Sequence, residues 1–299
     1  MIRVKERMKI KLQFITKNKR YQTAITLNNV LFEAIVDIMF TNFFEKTGEI
    51  TIRLLRSCGR LFLFFITGVI NVFILPVLFG KIIEHTWFIG AKSFFVIALT
   101  GVFTGMVLGL QGYYSLAKFG SEAGLGAAVA MTLVRELGPV LTAIMVTARA
   151  GSAMAAEIGV MRISEQIDAL KTMHINPVRF LFTPRLIASV ISFPLLTAIF
   201  NVIGIIGGYI SGSILLGINQ YDYMDAVIKN VSIEDINGGF LKSLVFSVIV
   251  TTICCYRGYY THLFSGFGAR GVSMSTTNAV VQSCIFILIF DYIITFFLV

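Results

Sequence analysis

Apolar residues run in long unbroken stretches along this chain, with charge confined to short intervals between them. After residue 90 five stretches stand out, at about 94–117, 123–148, 186–216, 241–260 and 278–299, the fourth reaching full length once Tyr256 to Tyr260 are included. A sixth, 61–80, comes earlier. Each is close to the roughly 20 residues that an α-helix needs to cross the hydrocarbon core of a bilayer. The pattern predicts an all-α polytopic membrane protein.

Charge decides how many of the six cross. If the N-terminus is cytoplasmic and 61–80 does not span, the interval 149–185 is also cytoplasmic. It carries Arg149, Arg162, Lys171, Arg179 and Arg185 against Glu157, Glu165 and Asp168. The interval 257–277, with Arg257 and Arg270, falls on the same side, and the acidic interval 217–240, with Asp222, Asp225, Glu234 and Asp235 against Lys229, falls outside. Basic loops inside and an acidic loop outside is the arrangement that insertion prefers. A spanning 61–80 would invert all three. The expectation is therefore an N-terminal interfacial helix at about 53–80, anchored by Arg53, Arg56 and Arg60, followed by five spans, with the N-terminus in and the C-terminus out. Residues 1–50 form a separate basic extension, and 51–299 form the membrane domain.

Composition sharpens the class. Of 299 residues 56% are hydrophobic and 14% charged, and mean hydropathy is +0.83. A soluble globule cannot bury so much apolar surface, and disorder needs the opposite bias. The net charge of +9 is concentrated at Arg3, Lys5, Arg7, Lys9, Lys11, Lys17, Lys19 and Arg20, opposed there by Glu6 alone. In a membrane chain this points to cytoplasmic headgroups and not to nucleic acid. No secretory-signal pattern follows it. Val30 to Phe44 reads as an amphipathic helix with Glu33 and Asp37 one turn apart. Cys58, Cys254, Cys255 and Cys284, with His85, His174 and His262, show no ligand spacing, so neither a metal nor another cofactor is expected.

Several positions carry physical content. Gly101, Gly105 and Gly109 recur every fourth residue in the first span, and Gly204, Gly208 and Gly212 do so in the third. Such stripes permit close helix approach, either within one bundle or between two copies of the chain. Val160, Ile163, Ile167 and Leu170 fall on one face of a short helix in the interval 149–185, with Arg162, Glu165, Gln166 and Asp168 on the others. A helix of that kind lies on the membrane or docks into a partner. Arg135 and Glu136 in the second span, Lys242 at the start of the fourth and Asp291 in the fifth are charges within apolar helices, where they are costly and usually functional. Their signs balance, so a single network is expected. There is no phosphate-cradling G-x-x-x-x-G-K-[ST] loop and no G-x-S-x-G elbow. The chain is not expected to be an enzyme, and any energy source is a gradient or a separate subunit.

The run from Gly105 to Gly112, the segments Arg135–Val140, Ala148–Ala153, Ala156–Gly159 and Met161–Leu170, then Asn176-Pro177, Pro184-Arg185, Lys242–Phe246, Gly271-Val272 and Thr276-Thr277 occur in order and at the spacing of the MlaE (YrbE-type) permeases. The chain resembles that family over about residues 50–299. The resemblance implies the membrane subunit of an ABC-type phospholipid transporter of the bacterial inner membrane, acting as a homodimer. It further implies an ABC ATPase on each protomer, a periplasmic Mce-domain protein, often a small STAS-domain protein on the ATPase, and a lipid held between the protomers. It assigns Gln111, Leu116 and Phe119, with Arg135 and Glu136 nearby, to the lipid. Phe119 stands where the best-known relatives carry tyrosine. Glu157, Arg162, Ile163, Glu165, Gln166, Ile167, Asp168 and Leu170 match the family's coupling helix, and Lys242 and Asp291 match charged positions in its spans. The basic extension departs from the shorter members. Two other readings compete: a gradient-driven carrier or channel without an ATPase partner, and an intramembrane hydrolase, which would need a catalytic pair at span depth that the three histidines do not supply.

Overall fold

A computed structural model describes residues 48–49, 51–52, 55–72, 79–264, 266 and 268–298. The basic arm, the amphipathic stretch 30–44 and residues 73–78 lie outside the described residues. Among the described residues there are helices and no strand, as the apolar stretches predict. Two compact units divide at residue 60, Met1–Arg60 and Leu61–Val299. The second holds every helix named below except the first six residues of the first of them, Leu55–Arg60.

The helices, in order, are α1 (Leu55–Val72), α2 (Phe79–Ile89), α3 (Phe94–Ala117), α4 (Leu125–Thr132), α5 (Gly138–Val146), α6 (Ser152–Ile163), α7 (Gln166–Thr172), α8 (Pro177–Tyr209), α9 (Gln220–Asn230), α10 (Ile233–Tyr259), α11 (Thr261–Phe264) and α12 (Gly268–Leu298). Short 3₁₀ or π turns fuse several of them. Among the described residues the result is six continuous helices long and apolar enough to cross a bilayer: Leu55–Val72, Phe79–Ala117, Glu122–Ile163, Pro177–Leu215, Ile233–Tyr259 and Gly268–Leu298. The first coincides with the stretch expected to lie in the interface. Length and composition allow it to cross, and only the loop charges argue against it.

The boundaries differ from those expected. The helix expected over 123–148 runs on to Ile163, and the one expected from 186 begins at Pro177. Likewise the helix containing 94–117 begins at Phe79. Hydropathy marks where a helix leaves the apolar layer, whereas its backbone hydrogen bonds are local and continue into water. At Pro177 the start is explicit: the Asn176 side chain accepts from the backbone N–H of Val178 and Arg179, and Pro177 occupies the first turn.

The two glycine stripes face each other within the chain. α3 lies along α8, its most extensive packing partner. A Cβ built on Gly105 would sit 1.8 Å from the Gly204 carbonyl oxygen, and one on Gly109 would sit 3.0 Å from that of Gly208. The stripes therefore serve packing inside the bundle, and these faces are not available to a second copy. The opposite face of α3 carries Phe95, Phe103 and Val107, all largely exposed. Small residues point inward and large ones outward, the reverse of a soluble amphipathic helix.

Glu122–Ile163 contains two π turns, Leu133–Leu137 and Thr147–Gly151. Each wider turn re-aims the side chains that follow it. Pro139 stands just after the first. Lacking an N–H, it deprives the Arg135 carbonyl of its α-helical donor.

Gly105→Ala should force α3 and α8 apart and destabilise the protein by about 3 kcal/mol, at the upper end of the overpacking range. Thermal unfolding in detergent checks this. A melting temperature equal to that of the wild type would show that the seam is slack.

Candidate functional site

Lys242 is the centre of a charge cluster inside the bundle. Its side chain is 2% exposed. The ammonium donates to Glu136 Oε2, to the Arg135 carbonyl at 3.0 Å and to Thr295 Oγ1 at 2.7 Å. Asp291 Oδ1 lies 3.2 Å away, an ion pair outside hydrogen-bond geometry. An ammonium has three N–H donors, and here each has an acceptor. One of those acceptors is the carbonyl that Pro139 leaves open, so the proline of the second span and the lysine of the fourth fit one another chemically. Thr295 stands one turn after Asp291, donates to the Asp291 carbonyl at 2.8 Å and so faces the same way.

Arg135 takes a different direction, as expected for a residue next to Glu136 on a helix. Its Nε donates to Asp235 Oδ1 at 2.6 Å, and the side chain remains half exposed. The other oxygen of Asp235 accepts from the backbone N–H and the hydroxyl of Ser232, completing the capping box of α10. The cluster thus brings Glu136, Lys242 and Asp291 together directly. Arg135 joins it through its backbone oxygen alone.

Gln111, Leu116 and Phe119 lie at the end of α3 and in the turn after it. Phe119 is 85% exposed, Gln111 is exposed and Leu116 is half-buried. Gly120 at φ 65° ends this segment.

The second cluster surrounds α7. The single helix expected across 157–170 is broken: α6 ends at Ile163, and Glu165 adopts a left-handed conformation at φ 59°. The Ser164 hydroxyl bonds back to the Val160 carbonyl at 2.9 Å, which favours termination there. A second left-handed residue, His174 at φ 58°, closes α7. The break rearranges the expected apolar stripe. Ile167 is fully buried against Ile158, Leu181 and Phe182, whereas Val160 is 53% exposed and Ile163 and Leu170 are intermediate. Periodicity therefore identified a face that Ile167 turns into its own bundle. Val160, Glu165, Gln166 and Met173 are among the exposed residues of this segment.

Arg162 holds the broken pieces together. Its Nη1 donates to Asp168 Oδ1 at 2.9 Å, shared with Lys171 Nζ at the same distance, and its Nε donates to His262 Nδ1 at 3.0 Å. The hydrogen bond from Lys171, with Arg162 adding to it, holds the Asp168 carboxyl below the usual carboxylate range. Burial, with the Arg162 charge beside it, lowers His262. The His262 nitrogen that accepts from Arg162 must be unprotonated, so acidification to below the ordinary histidine range works against this contact.

Three residues of these clusters escape sequence reading. Thr295 is an ordinary threonine in an apolar helix. His262 reads as scattered. Asp235 reads as part of an acidic outer loop, although Ser232 three residues before it is a helix-start signal that could have placed it at the foot of α10.

The Permease MlaE family matches residues 82–297. A probable ABC transporter permease protein of Rickettsia bellii is 41% identical over 257 residues, covering 86% of this chain and 98% of that protein. The intermembrane phospholipid transport system permease protein MlaE of Haemophilus influenzae is 38% identical over 258 residues, covering 86% and 97%. The chloroplastic protein TRIGALACTOSYLDIACYLGLYCEROL 1 of Arabidopsis thaliana is 37% identical over 232 residues, covering 75% and 64%. A family match over most of the chain, with near full-length relatives at this level of identity, places the motifs and the helices in one frame: this chain belongs to the MlaE permease family.

Proposed function

We propose that this chain is the permease subunit of an ATP-driven phospholipid transporter of the bacterial inner membrane. The observation that carries the reading is the near end-to-end similarity to a permease named for intermembrane phospholipid transport. In this reading the protein works as a homodimer. An ABC ATPase binds each protomer from the cytoplasm, a STAS-domain protein accompanies the ATPase, and an Mce-domain protein receives or delivers lipid on the periplasmic side. The N-terminus is cytoplasmic and the C-terminus periplasmic.

The chain's own residues divide the work. The α6–α7 elbow is the surface that the ATPase pushes, with Arg162 keeping the two arms of the elbow in register. Gln111, Leu116 and Phe119 face the acyl chains. Arg135 offers the outer leaflet a guanidinium whose planar fork suits a phosphate. Asp235 holds the Nε edge of that fork, so a phosphate shares or displaces this carboxylate. Glu136, Lys242 and Asp291 tie the helices that border this region together.

Reconstituting the chain with its ATPase in vesicles of phosphatidylethanolamine and phosphatidylglycerol, with a fluorescent phosphatidylethanolamine as reporter, tests the reading. Transfer should require both ATP and the ATPase. Transfer driven by an ion gradient without the ATPase would replace it with a carrier.

Two substitutions test the assigned parts. Asp291→Asn leaves Lys242 with one carboxylate and should cost about 1–3 kcal/mol, the range for hydrogen bonds and pairs to charged groups. It should lower folded yield or lipid transfer, and wild-type behaviour in both would remove Asp291 from the cluster's role. Val160→Glu changes an exposed position and should leave the fold intact while weakening co-purification of the ATPase by about tenfold or more, as loss of an interface anchor does. Undiminished co-purification would place the ATPase elsewhere.

A further inference from the structure

A second buried cation lies toward the α7 end of the bundle. Arg185, on α8, is 2% exposed. Its Nη2 meets Glu157 Oε2 of α6 at 2.9 Å, and its Nη1 donates to the Leu181 carbonyl of its own helix at 2.6 Å. Nε is buried and, among the described residues, has no hydrogen-bond partner. Glu157 itself is half exposed. A buried guanidinium thus takes its neutralising charge from a carboxylate on the arm of the elbow. Removing one partner of such a pair is far more costly than removing both.

The contact continues inward. The Arg185 carbonyl accepts from Ser189 Oγ at 2.7 Å, and Ser189 Oγ accepts from Thr251 Oγ1 of α10 at 2.6 Å. Ser189 and Thr251 are fully buried. Thr251 stands nine residues after Lys242 on the same helix, about 14 Å along its axis at 1.5 Å per residue. In the other direction Glu157 lies five residues before Arg162, which grips α7 through Asp168. Polar contacts therefore connect α7 to α6, α6 to α8 and α8 to α10, the helix that carries Lys242. A buried polar contact of this kind has few alternative partners, so the helices it joins move together.

We propose that Arg185 is a positioning residue of the transport cycle. Through Glu157 it converts displacement of the α6–α7 elbow into movement of α8 and α10, and thereby of the charge cluster around Lys242. The proposal rests on the ATP-driven transporter reading above. It distinguishes Arg185 from the residues that meet the ATPase or the lipid, because Arg185 touches neither and acts only through its neighbours.

The test uses the full chain co-purified with its ATPase, in the vesicles and with the fluorescent phosphatidylethanolamine already described, and reads lipid moved per ATP hydrolysed alongside the melting temperature. Three variants are compared: Glu157→Gln, the double variant Glu157→Gln with Arg185→Gln, and Glu157→Asp. Glu157→Gln strands the guanidinium and should lower the melting temperature. The double variant removes both charges and should regain stability but not coupling, with lipid moved per ATP lower by about tenfold, within the usual range of coupling between sites. Glu157→Asp keeps the charge on a half-exposed side chain but shortens its reach, and should fold while lowering the same ratio. A purely structural pair predicts that the double variant regains stability and coupling together. That result, or a wild-type ratio in Glu157→Asp, overturns the proposal while leaving the transporter intact. A wild-type complex that moves no lipid with ATP fails earlier, and removes the transporter reading as well.

Discussion

A charged ammonium inside an apolar helix bundle persists only where fixed acceptors replace the water it has lost. Lys242 meets that condition with one acceptor for each of its N–H groups: a carboxylate, a hydroxyl and a main-chain carbonyl. They come from two parts of the chain: the π turn before α5, which supplies the Glu136 carboxylate and the Arg135 carbonyl that a proline leaves open, and the end of α12. Neither satisfies the lysine alone. The cluster therefore specifies how α10 sits against its neighbours more sharply than interchangeable apolar contacts could. It also explains why the helix of 122–163, long and apolar enough to cross a membrane, accepts a π turn and a proline. Both are tolerated in lipid when another group satisfies the freed backbone.

Much of this was legible in the sequence. The apolar stretches marked the helices, and the four balanced charges pointed to one network, three of which now meet side chain to side chain. The glycine stripes were visible, but their partner was not. Repeats of four on α3 and α8 fit a seam within the chain as well as one between chains, and only the position of Gly105 against Gly204 separates the two. The elbow was legible as a short amphipathic segment, whereas its break was not, because Glu165 carries no mark of a left-handed residue. Thr295 was invisible for a simpler reason: a hydroxyl in an apolar helix usually bonds its own backbone, as it does here to Asp291, and nothing local reveals a second use.

Two of the arginine–carboxylate pairs, Arg135–Asp235 and Arg185–Glu157, follow one logic with different burial. Arg135 is half exposed and paired to a capping aspartate, so the base is the reachable member. Arg185 is fully enclosed and paired to a half-exposed glutamate, so the acid, not the base, is the reachable member. The first arrangement suits contact with a ligand, and the second suits transmission of a push.

The backbone contact between α3 and α8 has a mechanical corollary. Two helices whose main chains already touch cannot approach further, and spreading them would open a void along the seam. Their remaining freedom is to slide along each other, the small shear motion that close-packed helices allow. α12 is different: it shows most of its surface outward and has little enclosing it. Any opening of the protein is therefore expected to leave this central keel intact and to take place by the swinging of its flank.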